Sequence, residues 1–173
     1  MRLQERDINI INFIEEHKGI TVQQAAALFF NGSIQSAYRR LRILKDNKQI
    51  KCDYSPFACS LVYYIKKMPS LHSLMLTAYY IYNIDNIANY KREVKAGAFI
   101  VDALVKFKSG AMAVVEAVAH KRVAEEKKQG IKQYFKAYYN IDINIIIITL
   151  YKMNDDRENI TYSGIKRPSI ESH

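Results

Sequence analysis

The apolar positions of residues 1–68 follow a helical period three times and then a strand-like one. The helical pattern covers residues 6–17, 22–30 and 33–49, and the inward stripe of the last segment is formed by Ile34, Ala37, Leu41 and Leu44. Two β-prone segments follow, residues 50–53 and 60–65, on either side of a turn that contains Pro56. Three helices followed directly by a hairpin predict a winged helix-turn-helix in residues 1–68.

The period becomes alternating from residue 87 onward. Before that point, residues 69–86 contain a helix that Ser70 can cap. We predict that this segment connects two domains or forms a dimer contact. Strands are predicted at residues 87–94, 99–107 and 111–119, a helix at 121–139, a buried strand at 141–150 and an edge strand at 160–162. The predicted fold class is therefore α+β, a winged helix followed by a small α/β domain with a mixed sheet in residues 87–173. The polar tail from residue 154 is predicted to be flexible or to contact a partner.

Charge and cysteine content narrow the class of partner and the compartment. The 173 residues carry a formal net charge of +9, which favours a polyanionic partner. Two cysteines and no secretory signal predict a cytoplasmic protein, and no apolar run is long enough to cross a bilayer. A hairpin centred on Ser55 and Pro56 would place Cys52 opposite Cys59, either as two reduced thiols or as a pair that oxidises or holds a soft metal.

The segment from Ser33 to Gln49 has the composition of a DNA recognition helix. Ser33 supplies the N-cap, and the segment holds five basic residues against one acidic residue. Amide, hydroxyl and guanidinium groups near its start suit base edges, and we predict these contacts for Gln35, Ser36 and Arg39. Ser33, at the start of the helix, is also predicted to contact DNA. Further basic residues are predicted to bind phosphates, and they are Arg40, Arg42, Lys45 and Lys48 on the helix, with Lys51 or Lys66 from the hairpin.

Two acidic residues stand out in the second domain. If residues 108–110 form the loop between two strands, Asp102 lies opposite Glu116 with both side chains on one face of the sheet. Like charges across a strand pair repel each other, so such a pair invites a cation, a shared proton or a solvated edge position.

These residues resemble two known families. The segment ITVQQAAALFFNGSIQSAYRRLRILKDNKQIK, followed by the hairpin, resembles the winged helices of bacterial transcription and plasmid-replication proteins. The Asp102 and Glu116 hairpin, followed by a helix, resembles the PD-(D/E)xK nuclease fold, which is restriction-endonuclease-like. That resemblance implies that two carboxylates hold a divalent metal and that a lysine two positions after the second acid assists the attacking water. Position 118 is instead Val118, and the lysines that remain as replacements are Lys106, Lys121, Lys127 and Lys128.

The chain as a whole resembles the replication-relaxation proteins of plasmids and conjugative elements. We therefore predict a sequence-specific double-stranded-DNA-binding protein of a mobile element, acting in plasmid replication, transfer or transcriptional regulation, with replication or transfer proteins as further partners. Because Val118 replaces the lysine, we predict no enzymatic activity and no cofactor. One alternative is a metal-dependent nuclease in which Asp102 and Glu116 hold Mg²⁺. Another is a dimeric repressor with a partner- or ligand-sensing domain.

Overall fold

Each of the first three helices begins at a residue whose side chain can cap it. At the start of helix α1 (Glu5–His17) the Asp7 carboxylate accepts the N–H of Gln4 at 2.7 Å, and at the start of helix α2 (Val22–Phe29) Thr21 and Gln24 bond reciprocally. At helix α3 (Ile34–Asp46) the Ser33 hydroxyl accepts the N–H of Ser36 at 3.3 Å. The three helices therefore start where the sequence provides acceptors for unpaired backbone N–H groups.

The structure, a computed structural model, describes residues 2–118 and 123–149 and the backbone of residues 160–164. It divides into two compact units, Met1–Ile81 and Tyr82–His173. The first unit also holds a three-stranded antiparallel sheet of β1 (Ile20–Thr21), β2 (Lys51–Ser55) and β3 (Ser60–Tyr64), in the order β1-β3-β2. This sequence of helices and strands is the one expected for a winged helix.

The core of the first unit follows the predicted stripe on α3 with one exception. Ala37, Leu41 and Leu44 are fully buried against Ile10 of α1, whereas Ile34 is 48% exposed. Ile34 is the first residue of the helix, so it lies at the edge of the contact, where the stripe no longer faces a neighbour.

The hairpin differs from the prediction in its register. Ser55 faces Ser60 across the turn, so residues 56–59 form a four-residue loop and Cys52 lies opposite Tyr63 rather than Cys59. Both cysteines are free thiols. The sequence marked the turn through Pro56 but left its length open, and one added residue changes every cross-strand pair.

The helix predicted to connect the domains packs within the first unit over most of its length. Helix α4 (Leu71–Asn83) starts where the Ser70 hydroxyl accepts the N–H of Ser73 at 3.2 Å. The Thr77 hydroxyl donates to the backbone carbonyl of His17 at 2.9 Å, and the Tyr80 ring lies 4.4 Å from the His17 ring. These contacts tie α4 to the end of α1.

The second unit contains a mixed five-stranded sheet and one long helix. Its strands are β4 (Ile87–Ala96), β5 (Phe99–Phe107), β6 (Met112–Val118), β7 (Asn144–Thr149) and β8 (Ile160–Gly164), in the order β4-β5-β6-β7-β8. The pairs β4–β5 and β5–β6 are antiparallel, while β6–β7 and β7–β8 are parallel. Helix α5 (Glu125–Tyr139) connects β6 to its parallel neighbour β7. The predicted α+β class, with a mixed sheet in the second unit, is confirmed.

Helix α5 covers one face of this sheet at close range. Ile131 and Phe135 pack on Val114 and Ile147 in the core of the unit. A side chain at Gly130 would collide with the ring of Phe99, so the helix approaches β5 because that position lacks a Cβ. The close approach fixes where the first turn of α5 lies relative to strand β6.

The described part of the chain contains no helix with the length and apolar content needed to cross a membrane. Strand β8 lies at the edge of the sheet, as predicted for residues 160–162. The rest of the predicted polar tail from residue 154 lies outside the described residues.

Candidate active site and nucleic-acid surface

The two acidic residues of the second unit lie where strands β5 and β6 stop pairing through their backbones. The register pairs Ala103 with Val115, as the predicted three-residue loop requires, and the ladder ends there. Beyond this point a side chain replaces the backbone acceptor: Asp102 Oδ2 accepts the N–H of Ala117 at 2.8 Å. This bond fixes the Asp102 carboxylate against the strand that carries Glu116.

Glu116 is a buried acid, with only 4% of its surface exposed. It lies beside Ile147 of the neighbouring strand, on the face of the sheet that α5 covers. The pKa of its carboxyl is raised to about 7, chiefly by burial, and the nearby Asp102 charge also raises it, whereas Lys127 lowers it. Carboxyl groups with such a pKa concentrate at functional sites.

Lys127 supplies the ammonium group that the strand lacks at Val118. It is the third residue of α5, and its Nζ donates to Glu116 Oε2 at 2.8 Å. The other proposed replacements are placed elsewhere: Lys106 is exposed on β5, Lys128 is buried and bonded to Glu125, and Lys121 lies outside the described residues. Val118 itself packs in the core beneath α5.

The environment of the second carboxylate oxygen of Glu116 indicates whether a metal ion could bind at this site. Glu116 Oε1 is buried and accepts no hydrogen bond from a donor in the described residues, and its neighbour Asp102 can bond to it only through a shared proton. A buried carboxylate oxygen without a donor is costly, and a divalent cation would satisfy it. Across residues 2–118, 123–149 and 160–164, no group of three His, Cys, Asp or Glu side chains comes together. Two carboxylates are nevertheless enough for Mg²⁺, which keeps several waters and is completed by substrate phosphate.

Arg92 is a further residue of this region that the sequence did not indicate. It lies half-buried on β4, paired with Ala103. Burial lowers the pKa of its guanidinium, while the charges of Tyr90, Glu93 and Asp102 raise it. The positive charge of Arg92 therefore interacts with the negative charge of Asp102. The only trace in the sequence is an arginine inside a strand, which has no spacing signature.

The outward face of α3 has the composition that was predicted. Its exposed polar and basic residues are Gln35, Ser36, Arg39, Arg42 and Lys45, and they define the basic face of α3. Ser33 is exposed at the helix start, where its hydroxyl donates to Ser36 Oγ at 2.9 Å. Arg42 lies 3.7 Å from Asp46, and both side chains are exposed. The guanidinium of Arg42 therefore stays accessible from solvent.

Three further lysines that were predicted to bind DNA phosphates follow helix α3 in the chain. Lys48 is exposed in the turn after α3, where its φ is 58°. Lys51 Nζ donates to the carbonyl of Lys66 at 3.3 Å, and Lys66 Nζ lies 3.8 Å from Glu15 with 85% of its side chain exposed. These lysines stand at the base of the hairpin.

Arg40 does not belong to the basic face, contrary to the prediction. Its Nε donates to Asp7 Oδ1 at 2.5 Å and its second nitrogen donates to Asp7 Oδ2, so the contact is bidentate. Asp7 is fully buried, and the bonds from Arg40 hold the pKa of its carboxyl below the usual range. A guanidinium engaged in this way links α3 to α1 instead of facing a phosphate.

Comparison with known proteins gives structural likenesses only. No model of a known protein family matches the chain, and no curated protein sequence does. A repair endonuclease from Pyrococcus abyssi is 16% identical, with a TM-score of 0.45 over 64% of this chain and 54% of that one. The EndoMS–dsDNA2 complex is 16% identical, with a TM-score of 0.40 over 63% and 53%. Protein VC1899 from Vibrio cholerae is 9% identical, with a TM-score of 0.39 over 90% and 45%. The chain thus spans about half the length of each.

The prediction that the chain is not an enzyme is wrong in its premise and is corrected. It rested on Val118, and the missing ammonium group is provided by Lys127 at Glu116 Oε2. One of the solved structures named above is a repair endonuclease.

Proposed function

We propose that this chain is a metal-dependent nuclease acting on double-stranded DNA. The observation that carries the proposal is Glu116, a buried acid with one oxygen bonded to Lys127 and the other without a donor in the described chain, beside the anchored carboxylate of Asp102. The PD-(D/E)xK resemblance names the same two acids and requires a lysine next to them. The geometry supports all three roles.

Each residue has a definite task in this proposal. Asp102 and Glu116 would hold Mg²⁺, with Asp102 oriented by the N–H of Ala117. A bound divalent cation polarises the phosphate and lowers the pKa of a water molecule. Lys127, which is bonded to Glu116, would donate a hydrogen bond to the attacking water and balance the negative charge that grows on the phosphate. Arg92 adds positive charge on the Asp102 side.

Cleavage of supercoiled plasmid DNA tests this proposal. We expect nicking with Mg²⁺ or Mn²⁺, and a loss of about 10²-fold or more in Asp102→Asn, Glu116→Gln and Lys127→Ala. Lys136→Ala is the matched control, because Lys136 lies on the same helix with an exposed side chain, paired to Asp142. Equal nicking by wild type and Glu116→Gln would assign the activity to a contaminant and refute the proposal.

The first unit supports duplex binding through the basic face of α3. Gln35, Ser36 and Arg39 would read base edges, while Arg42, Lys45 and Lys48, with Lys51 or Lys66, would bind phosphates. With Arg40 engaged by Asp7, about four phosphates remain, and the log–log salt dependence of affinity should have a slope of roughly −3.6. Fluorescence anisotropy on labelled duplex, with a chelator present, measures this slope. An affinity that does not change with salt would exclude the surface.

Arg39→Ala should weaken binding by about tenfold, since one base-edge contact is worth about 1–3 kcal/mol. Lys95→Ala, an exposed lysine on β4, is the control. If the two variants bind equally, the basic face of α3 is not the contact.

The finer roles remain predictions from the sequence: membership of the replication-relaxation proteins, action in plasmid replication, transfer or transcription, and a cytoplasmic location. The repressor alternative depended on α4 as a dimer contact. Leu74, Met75 and Leu76 of that helix are already buried within one chain, so this alternative is the weaker one.

A further inference from the structure

The tip of the β2–β3 hairpin has a fixed shape. Ser55 is almost fully buried, and its hydroxyl accepts the N–H of Ala58 at 3.3 Å across the loop. The thiol of Cys59 donates to the carbonyl of Pro56 at 3.4 Å, and Cys59 takes a left-handed φ of 48° that turns the chain into β3. The loop of residues 56–59, called the wing tip below, is therefore held by its own bonds.

The wing tip and the strand residues beside it are apolar and carry no positive charge. Tyr54 is 61% exposed, Phe57 59% and Leu61 37%, and Tyr54 faces Leu61 directly across the strands. In a chain with 26 lysines and arginines, none falls between Asp53 and Ile65. The carboxylate of Asp53 is occupied by the hydroxyl of Tyr64. This projection cannot attract phosphates, although it belongs to the unit that carries the basic face of α3.

The base of the same hairpin is positive. Lys51 and Lys66 meet there, one on each side, and Lys48 precedes the first strand. A duplex held by these lysines would bring its backbone to the base of the hairpin and its groove to the apolar tip. Apolar side chains with this placement are the wedges that DNA-bending proteins insert between base pairs from the minor groove.

We propose that the wing tip is such a wedge, with Phe57 entering a base step of double-stranded DNA, supported by Pro56 and Tyr54, and opening the stack. This inference rests on the proposed duplex binding by the first unit but not on the nuclease activity. The lysines at the base of the hairpin favour DNA as the occupant over a second copy of the chain, because they attract phosphates and would repel the same lysines of a second copy.

The test uses the full chain in the presence of a chelator. A duplex site is first selected from a random pool, and 2-aminopurine then replaces each adenine of the footprint in turn. We expect wild type to raise the fluorescence severalfold at one or two neighbouring positions, where the stack opens. A gel assay with the site moved along a fragment should show a bend at the same step.

Two variants separate a wedge from a charge contact. Phe57→Ala should lose the fluorescence rise and the bend, and bind up to about tenfold more weakly. Phe57→Lys should keep or gain affinity through a new phosphate contact but lose both signals of opening. Ile100→Ala, an exposed apolar residue of the second unit that is 63% accessible, is the matched control and should behave as wild type.

Three outcomes would overturn the inference in different ways. Duplex binding with the expected salt slope but without fluorescence rise or bend would refute the wedge and leave the proposed DNA binding standing. A dimer that Phe57→Ala converts to a monomer, with the DNA signals unchanged, would identify a second copy as the occupant. No duplex binding by wild type would refute both the wedge and the DNA binding on which it rests.

Discussion

The Asp7–Arg40 pair shows how far a single residue can depart from its place in a sequence pattern. Arg40 sits among basic residues on a helix, and its neighbours Arg39 and Arg42 are exposed as predicted. Helical spacing alone leaves Arg40 at the border between the two faces of α3. Only the crossing of α1 and α3 determines which way it turns, and Asp7 is 33 residues away in the chain.

Arg40→Ala should therefore destabilise the fold. It leaves the Asp7 carboxylate buried without a counter-charge, which costs about 3–5 kcal/mol. Because the pKa of Asp7 is lowered in the folded state, the stabilisation by Arg40 is present above the unfolded pKa and is lost as the pH falls through the folded one. Urea denaturation at pH 7 and at pH 3 measures this, and the deficit should shrink at the lower pH. Arg39→Ala should unfold like wild type at both.

Glu116 has the opposite dependence on pH. Its pKa is raised from 4.5 to about 7, so the native, metal-free chain holds the proton more tightly than the unfolded chain. The corresponding stability is present below pH 4.5 and is lost as the pH rises to 7 and beyond, by at most about 3 kcal/mol. Glu116→Gln cannot titrate, so the variant should gain stability relative to wild type between pH 5 and 8, as followed by denaturation with a chelator. A constant difference over that range would show that burial does not shift this acid.

At the scale of elements, much of the fold could be predicted from the chain. Strong periodicity located every main helix and strand, and the three-residue loop after β5 gave the correct register between β5 and β6. The hairpin register failed because Pro56 marks a turn without determining its length. The lysine of the site was left open among four candidates for a related reason. Asp102 and Glu116 follow from pairing along strands, whereas the position of Lys127 depends on how helix α5 packs on the sheet.

The close packing of α5 against β5 can be tested by a substitution at Gly130. Alanine is the better helix former by about 1 kcal/mol, yet its methyl group would meet the ring of Phe99, which packs in the core. We expect Gly130→Ala to lower stability by about 1–2 kcal/mol and to weaken DNA cleavage, because moving α5 draws Lys127 away from Glu116. Gln129→Ala changes an exposed neighbour on the same helix and should leave both unchanged. A stabilised Gly130→Ala variant would show that Phe99 moves aside without cost.

At the scale of the whole molecule, the chain has two units with separate cores. One core joins Ile10, Leu41 and Tyr63, and the other joins Val114, Ile131 and Ile147. The change of period near residue 87 predicted such a division, and the contacts of α4 explain why the boundary falls after Ile81. A helix joining two domains has no sequence signal for the side on which it packs.

Two cores predict two thermal transitions in calorimetry. Arg40→Ala should lower one of them by more than about 10 °C, and Gly130→Ala should lower the other by about 5 °C. Each variant should leave the second transition in place. If both substitutions moved one common transition, the units would unfold cooperatively.

The position of Lys127 on a helix has a consequence for evolution. When acid and lysine share a strand, their separation along the chain is constant, and any insertion between them destroys the constellation. Here the two groups belong to different elements, Glu116 to β6 and Lys127 to α5, and the connecting segment can lengthen or shorten without moving either partner. Relatives of this chain should therefore vary in the count of residues from glutamate to lysine. A search that demands a constant count would discard active members as inactive ones.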